Sequence, residues 1–147
     1  MGPRSRLLIL AGLALVSAAC NSGRYSAAAF HLPPDGNVER GKAAFVGLGC
    51  NTCHEVSGAD LPAPTVQPPV PVVLGGAVDA RLSDAYLVTS IIYPSYELAP
   101  YPKQEISSAG QSRMPHYADR ITVRELTDIV AFLQSRYYTP RTPEVYR

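Results

Sequence analysis

Two thiols and an imidazole fall within one five-residue run: Cys50, Asn51, Thr52, Cys53 and His54. Several chemistries use such a spacing. A structural zinc site needs four ligands from Cys and His. This run supplies three, and only His31 and His116 remain, neither in a second paired motif. A thioredoxin-like dithiol expects a surrounding α/β pattern and no His directly after the second Cys. An unreactive disulfide is the bland remainder. Covalent haem attachment uses every residue of the run: the thiols add to the two vinyl groups along one side of a porphyrin, and the next residue reaches the iron as an axial ligand. One covalently bound haem c, held through Cys50, Cys53 and His54, is therefore the expected cofactor.

The sixth position of such an iron is filled by water, a small molecule or a side chain. Apart from Met1, the single methionine is Met114, followed by Pro115, whose fixed φ and missing N–H stiffen the loop around it. A core gap-filler is the other use of a methionine, but the Ser-Arg-Met-Pro-His context is polar. The expected metal ligands are His54 and Met114. His116 is the rival for the second place, and His31 reads as a solvated residue.

Elements must bring these residues together. Asn37 is a candidate N-cap for a helix from Val38 to about Leu48, with Val38, Gly41, Ala44, Phe45 and Leu48 on one face. A helix so short needs a packing partner. The last helix offers itself: Thr122 and Glu125 form a capping box, Ile121 can staple onto Leu126, and Leu126, Ile129, Val130, Leu133 and Tyr137 make an apolar stripe that ends at Tyr138 to Pro140. A third helix is expected from Asp84 to about Tyr93, capped by Ser83 and stopped by Pro94. Leu61 to Pro71 holds five prolines and reads as a stiff, extended loop. Pro94 to Arg120 is longer still, and a loop of that length is expected to wrap something functional. No strand alternation is evident, so the fold class is all-α.

In this order of parts the chain resembles class I cytochromes c over roughly Asn37 to Tyr137. The likeness lies in a first helix with Gly41 and Phe45, the haem motif, a proline loop, a Tyr-Leu helix at Tyr86 and Leu87, a Met-Pro loop and an amphipathic last helix. The resemblance implies three to five short helices around the haem, and a close crossing of the first and last helices at Gly41 beside Phe45 and Phe132. It also implies that a proline carbonyl accepts a hydrogen bond from His54 Nδ1; Pro71, ahead of Leu74, is the candidate, and both are expected beside the cofactor. Val70 stands before Pro71, where the family usually has Gly. Tyr86, Leu87, Ser90, Ile91, Pro94, Met114, Pro115 and Tyr117 look like membrane-associated members, which implies redox protein partners in a membrane respiratory complex. The function implied is electron carriage rather than catalysis. A haem peroxidase or gas sensor with a labile Met114 is the alternative.

The N-terminus bears on location. Arg4 and Arg6 precede an apolar stretch from Leu7 to Val16 and the small residues Ser17, Ala18 and Ala19, so residues 1–19 read as a signal peptide. Cys20 follows directly, and here the chain resembles bacterial lipoproteins, whose first mature residue is a lipidated cysteine, although Ser17 stands where that family usually has Leu. Lipidation also disposes of the odd thiol among three cysteines. Residues 20–36 read as a tether, 37–138 as the domain and 139–147 as a tail. The expected place is the periplasmic side of a bacterial membrane. Arg4 and Arg6 leave with the first nineteen residues, so 11 basic residues face 12 acidic ones, a formal charge of −1. That balance offers no basic face for nucleic acid.

Overall fold

The computed structural model describes residues 30–140; the signal peptide, Cys20 and the end of the tail lie outside them. Asn37 caps the first helix as its sequence predicts, its side chain accepting from Arg40 N–H at 2.9 Å, and α1 runs Val38–Gly47. Leu48 and Gly49 close it, and a 3-10 turn follows at Cys50–Thr52. Next come β1 (Gly76–Ala77), α2 (Asp84–Ile92), α3 (Lys103–Ile106), β2 (Ser107–Ser108), β3 (Gln111–Ser112), α4 (Val123–Gln134) and β4 (Tyr137–Tyr138). The domain is mostly helical, with four short α-helices, as the all-α expectation had it. Among the described residues the strands are two-residue pairings: β1 lies parallel to β4, and β2 antiparallel to β3.

α1 and α4 make the centre. A Cβ built on Gly41 would overlap the Asp128 carbonyl and come within 2.8 Å of Phe132 Cβ, so the helices cross at a distance only glycine permits. Phe45 and Phe132 meet edge to face beside the crossing, with centroids 5.7 Å apart. Both implications of the resemblance are thus met in the structure. Val56, Leu87, Ile91, Tyr117, Leu126, Ile129, Val130 and Leu133 complete the buried core. Gly41→Ala should therefore lose stability. Overpacking costs about 1–3 kcal/mol, more than the roughly 1 kcal/mol that alanine gains over glycine in a helix. A melting temperature at or above wild type would show that the crossing can relax.

The sequence reading did not foresee the polar lock on this crossing. Asp128 is 2% exposed, yet its carboxylate accepts from Arg40 Nε at 2.8 Å, Arg40 Nη2 at 3.0 Å and Asn37 N–H at 2.7 Å. It sits in the middle of α4 on the side facing α1, where a charge needs such a full set of donors. The Arg40 hydrogen bonds hold the Asp128 carboxyl below its ordinary range. A carboxyl more acidic folded than unfolded stabilises fully above the ordinary carboxylate pKa, and that contribution is lost as pH falls through the lowered folded value. Asp128→Asn should then melt below wild type at neutral pH, with the gap closing in acid. Thermal melts at pH 7 and below pH 3 check this.

Two expectations are corrected here. α4 stops at Gln134, so Tyr137 is not on its stripe; the chain turns at Ser135, whose Oγ donates to the Phe132 carbonyl at 2.6 Å, and Tyr137–Tyr138 pair with Gly76–Ala77. α2 runs Asp84–Ile92 with Tyr93 as its cap residue, as the sequence predicts. The last residues of the expected tether are docked: Leu32 N–H donates to Asp84 Oδ2 at 3.1 Å, and a Cβ on Gly36 would come within 2.7 Å of Ala131 Cβ. The long connection from Pro94 to Arg120 carries α3 and the β2–β3 pairing.

Candidate functional site

Gly49 turns the chain out of α1 with a left-handed φ of +75°, a conformation that favours glycine. Cys50 opens the 3-10 turn and Cys53 closes it, with Cys53 N–H and His54 N–H both donating to the Cys50 carbonyl at 3.3 and 3.0 Å. Thr52 Oγ1 bonds the Gly49 carbonyl at 2.7 Å, and the Thr52 carbonyl accepts from Thr65 N–H and Val66 N–H. The proline-rich segment is thus fastened onto the turn between the two cysteines. Cys50 and Cys53 are free thiols, both half-buried. Burial pushes the Cys50 thiol up to about 11, so it is protonated at neutral pH.

His54 is half-buried, and its Nδ1 lies 3.0 Å from the Val72 carbonyl. A carbonyl can only accept, so the ring proton is on Nδ1, and Nε2 keeps its lone pair for a metal. The acceptor corrects the expectation of Pro71, which is exposed. Its reason is register. Leu74 pairs in parallel with Val56, donating to the Glu55 carbonyl at 2.9 Å and accepting from Ser57 N–H at 2.8 Å. Carbonyls two residues apart along an extended chain point the same way, so the register fixed at Leu74 presents Val72 to His54. Leu74 itself packs half-buried against the core.

Met114 is also half-buried against that core, as Cys50 is, whereas Pro115 and His116 are exposed. Two serines that sequence reasoning missed hold the Met114 backbone: Met114 N–H donates to Ser112 Oγ at 3.1 Å, and Ser112 N–H to Ser95 Oγ at 3.0 Å. Spacing alone does not reveal this relay, because the serines lie 17 residues apart. His31 is not simply solvated: its ring is largely exposed, but Nδ1 stands 3.7 Å from Asp84 Oδ2.

The donor set fits one kind of metal group. Among the described residues no group of three or more His, Cys, Asp or Glu is placed to hold a metal ion by itself. Haem iron does not need one, since the porphyrin supplies four nitrogens and the chain only axial ligands. The family model for cytochrome c matches residues 38–136, two thirds of the chain. The chain belongs to the cytochrome c family. No curated protein and no solved structure matches it. Cytochromes c bind haem covalently, one for a single domain of this size, and the protein is a haem-based electron carrier. In this cytochrome the residues suited to the attachment are the two half-buried thiols of the turn, with the oriented imbidazole of His54 beside them.

Proposed function

We propose that this cytochrome is a monohaem electron carrier of class I. In this reading Cys50 and Cys53 hold the haem, His54 and Met114 ligate its iron, and Cys20 carries a lipid that tethers the protein to the periplasmic side of a bacterial membrane. The observation that carries the reading is the His54 Nδ1 hydrogen bond to the Val72 carbonyl, which fixes the imidazole and leaves Nε2 to face a metal, in a run whose two cysteines form no disulfide. Bound haem supplies reversible one-electron chemistry at its iron. The chain's part is to hold its ligands still. Val72 locks the imidazole tautomer and ring plane. Ser112 and Ser95 hold the Met114 backbone, and Pro115 stiffens the peptide beyond it. Phe45, Phe132 and the rest of the core keep water from the packed side of the site. If His54 and Met114 both held the iron, substrate would have no open place at the metal, which favours electron transfer over catalysis. The half-buried setting of Met114 and the exposure of His116 favour the methionine as second ligand.

The test is spectroscopic. The oxidised protein should show a sulfur-to-iron charge-transfer band, and the reduced protein should not bind carbon monoxide readily. High-spin resting iron with ready carbon monoxide binding would instead assign a peroxidase or gas sensor.

Redox partners follow from the anchor. A tether of 17 residues, the separation of Cys20 from Asn37, would reach roughly 5–6 Å × √17, on the order of 20 Å, if it behaved as a free chain. Docking from Leu32 onward shortens that reach. Confinement near the membrane raises the local concentration for a respiratory complex, which suits a carrier of near-zero net charge with little long-range steering. Cys20→Ser should release haem-loaded protein into the soluble fraction and slow its reaction with membranes. Unchanged membrane association of that variant would rule the lipid anchor out.

A further inference from the structure

Three residues beyond Met114, Tyr117 is 8% exposed and makes contacts to three separate parts of the fold. Its hydroxyl donates to the Leu48 carbonyl at 3.3 Å, across 69 residues of sequence. Its backbone N–H donates to the Ile91 carbonyl at 3.3 Å, at the end of α2. Its own carbonyl accepts from Arg120 N–H and Ile121 N–H at 2.9 and 3.1 Å, forming the turn that leads into α4. The Arg120 guanidinium lies 5.7 Å from the centre of its ring. Leu48 is the cap residue of α1, and one glycine separates it from Cys50. Ring packing alone would be served by phenylalanine. A buried hydroxyl needs a partner, and here the partner belongs to the turn that carries Cys50, Cys53 and His54.

We infer that Tyr117 is a positioning residue that clamps the Met114 loop to the haem-attachment turn and so keeps the methionine sulfur from leaving the iron. The inference rests on the Met114 ligation proposed above. Only Pro115 and His116 lie between the two residues, a contour of about 10 Å at most, and Pro115 removes one of its few free rotations. A displacement at Tyr117 is therefore passed to Met114 with little slack. The loop has two anchors. The serine relay holds its approach, and Tyr117 holds its exit from inside the core, where water competes least for the hydrogen bond.

Tyr117→Phe keeps the ring and removes only the hydroxyl. Wild type, Tyr117→Phe and Met114→Ala holoproteins are compared for melting temperature, the charge-transfer band of the oxidised form, and the rate of carbon monoxide binding to the reduced form. The expected Tyr117→Phe protein carries its covalent haem, melts cooperatively a few degrees below wild type, binds carbon monoxide about three- to tenfold faster, the worth of one buried hydrogen bond, and shows a weaker charge-transfer band than wild type. Wild-type binding rate and band in Tyr117→Phe would overturn the inference. So would failure of Tyr117→Phe to fold or load haem, since the hydroxyl would then serve the fold and not the ligand. A wild type that lacks the band and binds carbon monoxide like Met114→Ala overturns the Met114 ligation itself, and the clamp with it, which separates the two failures.

Discussion

Replacing Cys50 and Cys53 together with Ala should leave a chain that carries no haem c and has lost most of its cooperative melt. Among the described residues most of the buried side chains belong to α1, α2 and α4. On the cofactor side Leu48, Cys50, Leu74 and Met114 are only half-buried against that cluster, so a large apolar ring seated there would complete the core. Domains of this size are stable by roughly 5–15 kcal/mol, and removing the central group of the core should take away a large fraction of it. The long connections, from Glu55 to Leu82 and from Tyr93 to Ile121, would feel the loss most. They hold few buried residues, and the proline-rich one is fastened mainly through the Thr52 carbonyl and the Val56–Leu74 bridge. Near-UV circular dichroism and a thermal melt of the double variant decide it. Native-like dichroism with a sharp transition and no haem would show that the polypeptide core suffices.

Met114 should control the potential. A thioether is a soft, neutral ligand that favours ferrous iron and raises the potential relative to a second imidazole. Met114→His should therefore stay low-spin with a lower midpoint, a step within the roughly 0.8 V that axial ligands command. Met114→Ala should open the iron, and the reduced protein should then bind carbon monoxide readily. His116 is the side chain that could close it again, and the variant that also carries His116→Ala separates an open iron from a swapped ligand. Both single variants should lose the sulfur-to-iron charge-transfer band. A midpoint unmoved by Met114→His would show that Met114 never reached the metal.

Much of this could be read from the chain before its structure, for reasons that differ from residue to residue. The caps at Asn37, Ser83 and Thr122 were legible because a capping side chain bonds only two or three residues onward. Gly41 was legible only through the family resemblance: spacing places it on the inner face of α1, and the Asp128 backbone that requires its missing Cβ lies 87 residues away. The choice of Val72 over Pro71 was not legible, because it depends on the register of Leu74 against Glu55 and Ser57, a pairing between two irregular segments. The role of Asp128 was not legible, because its partners Arg40 and Asn37 lie 88 and 91 residues away. Tyr137 was misplaced for the opposite reason: its apolar spacing fits α4, but pairing with Gly76 gives its backbone partners that one more helical turn would not. The serine relay and the Tyr117 hydroxyl join segments remote in sequence, and no local pattern announces them.

The crossing of α1 and α4 also sets an order of events. The Cys50–His54 run is synthesised some 70 residues ahead of α4, and the helix that leads into it has no packing partner until Asp128 and Phe132 arrive to meet Gly41 and Phe45. Contacts between the two ends of a chain form late, after the intervening loop has been closed. The turn with the two cysteines is therefore joined to an unpacked α1 until the last helix docks, and in the folded chain both cysteines end half-buried. The glycine that lets the helices touch thus makes its contact late, and the distance in sequence between residues 41 and 128 sets how late.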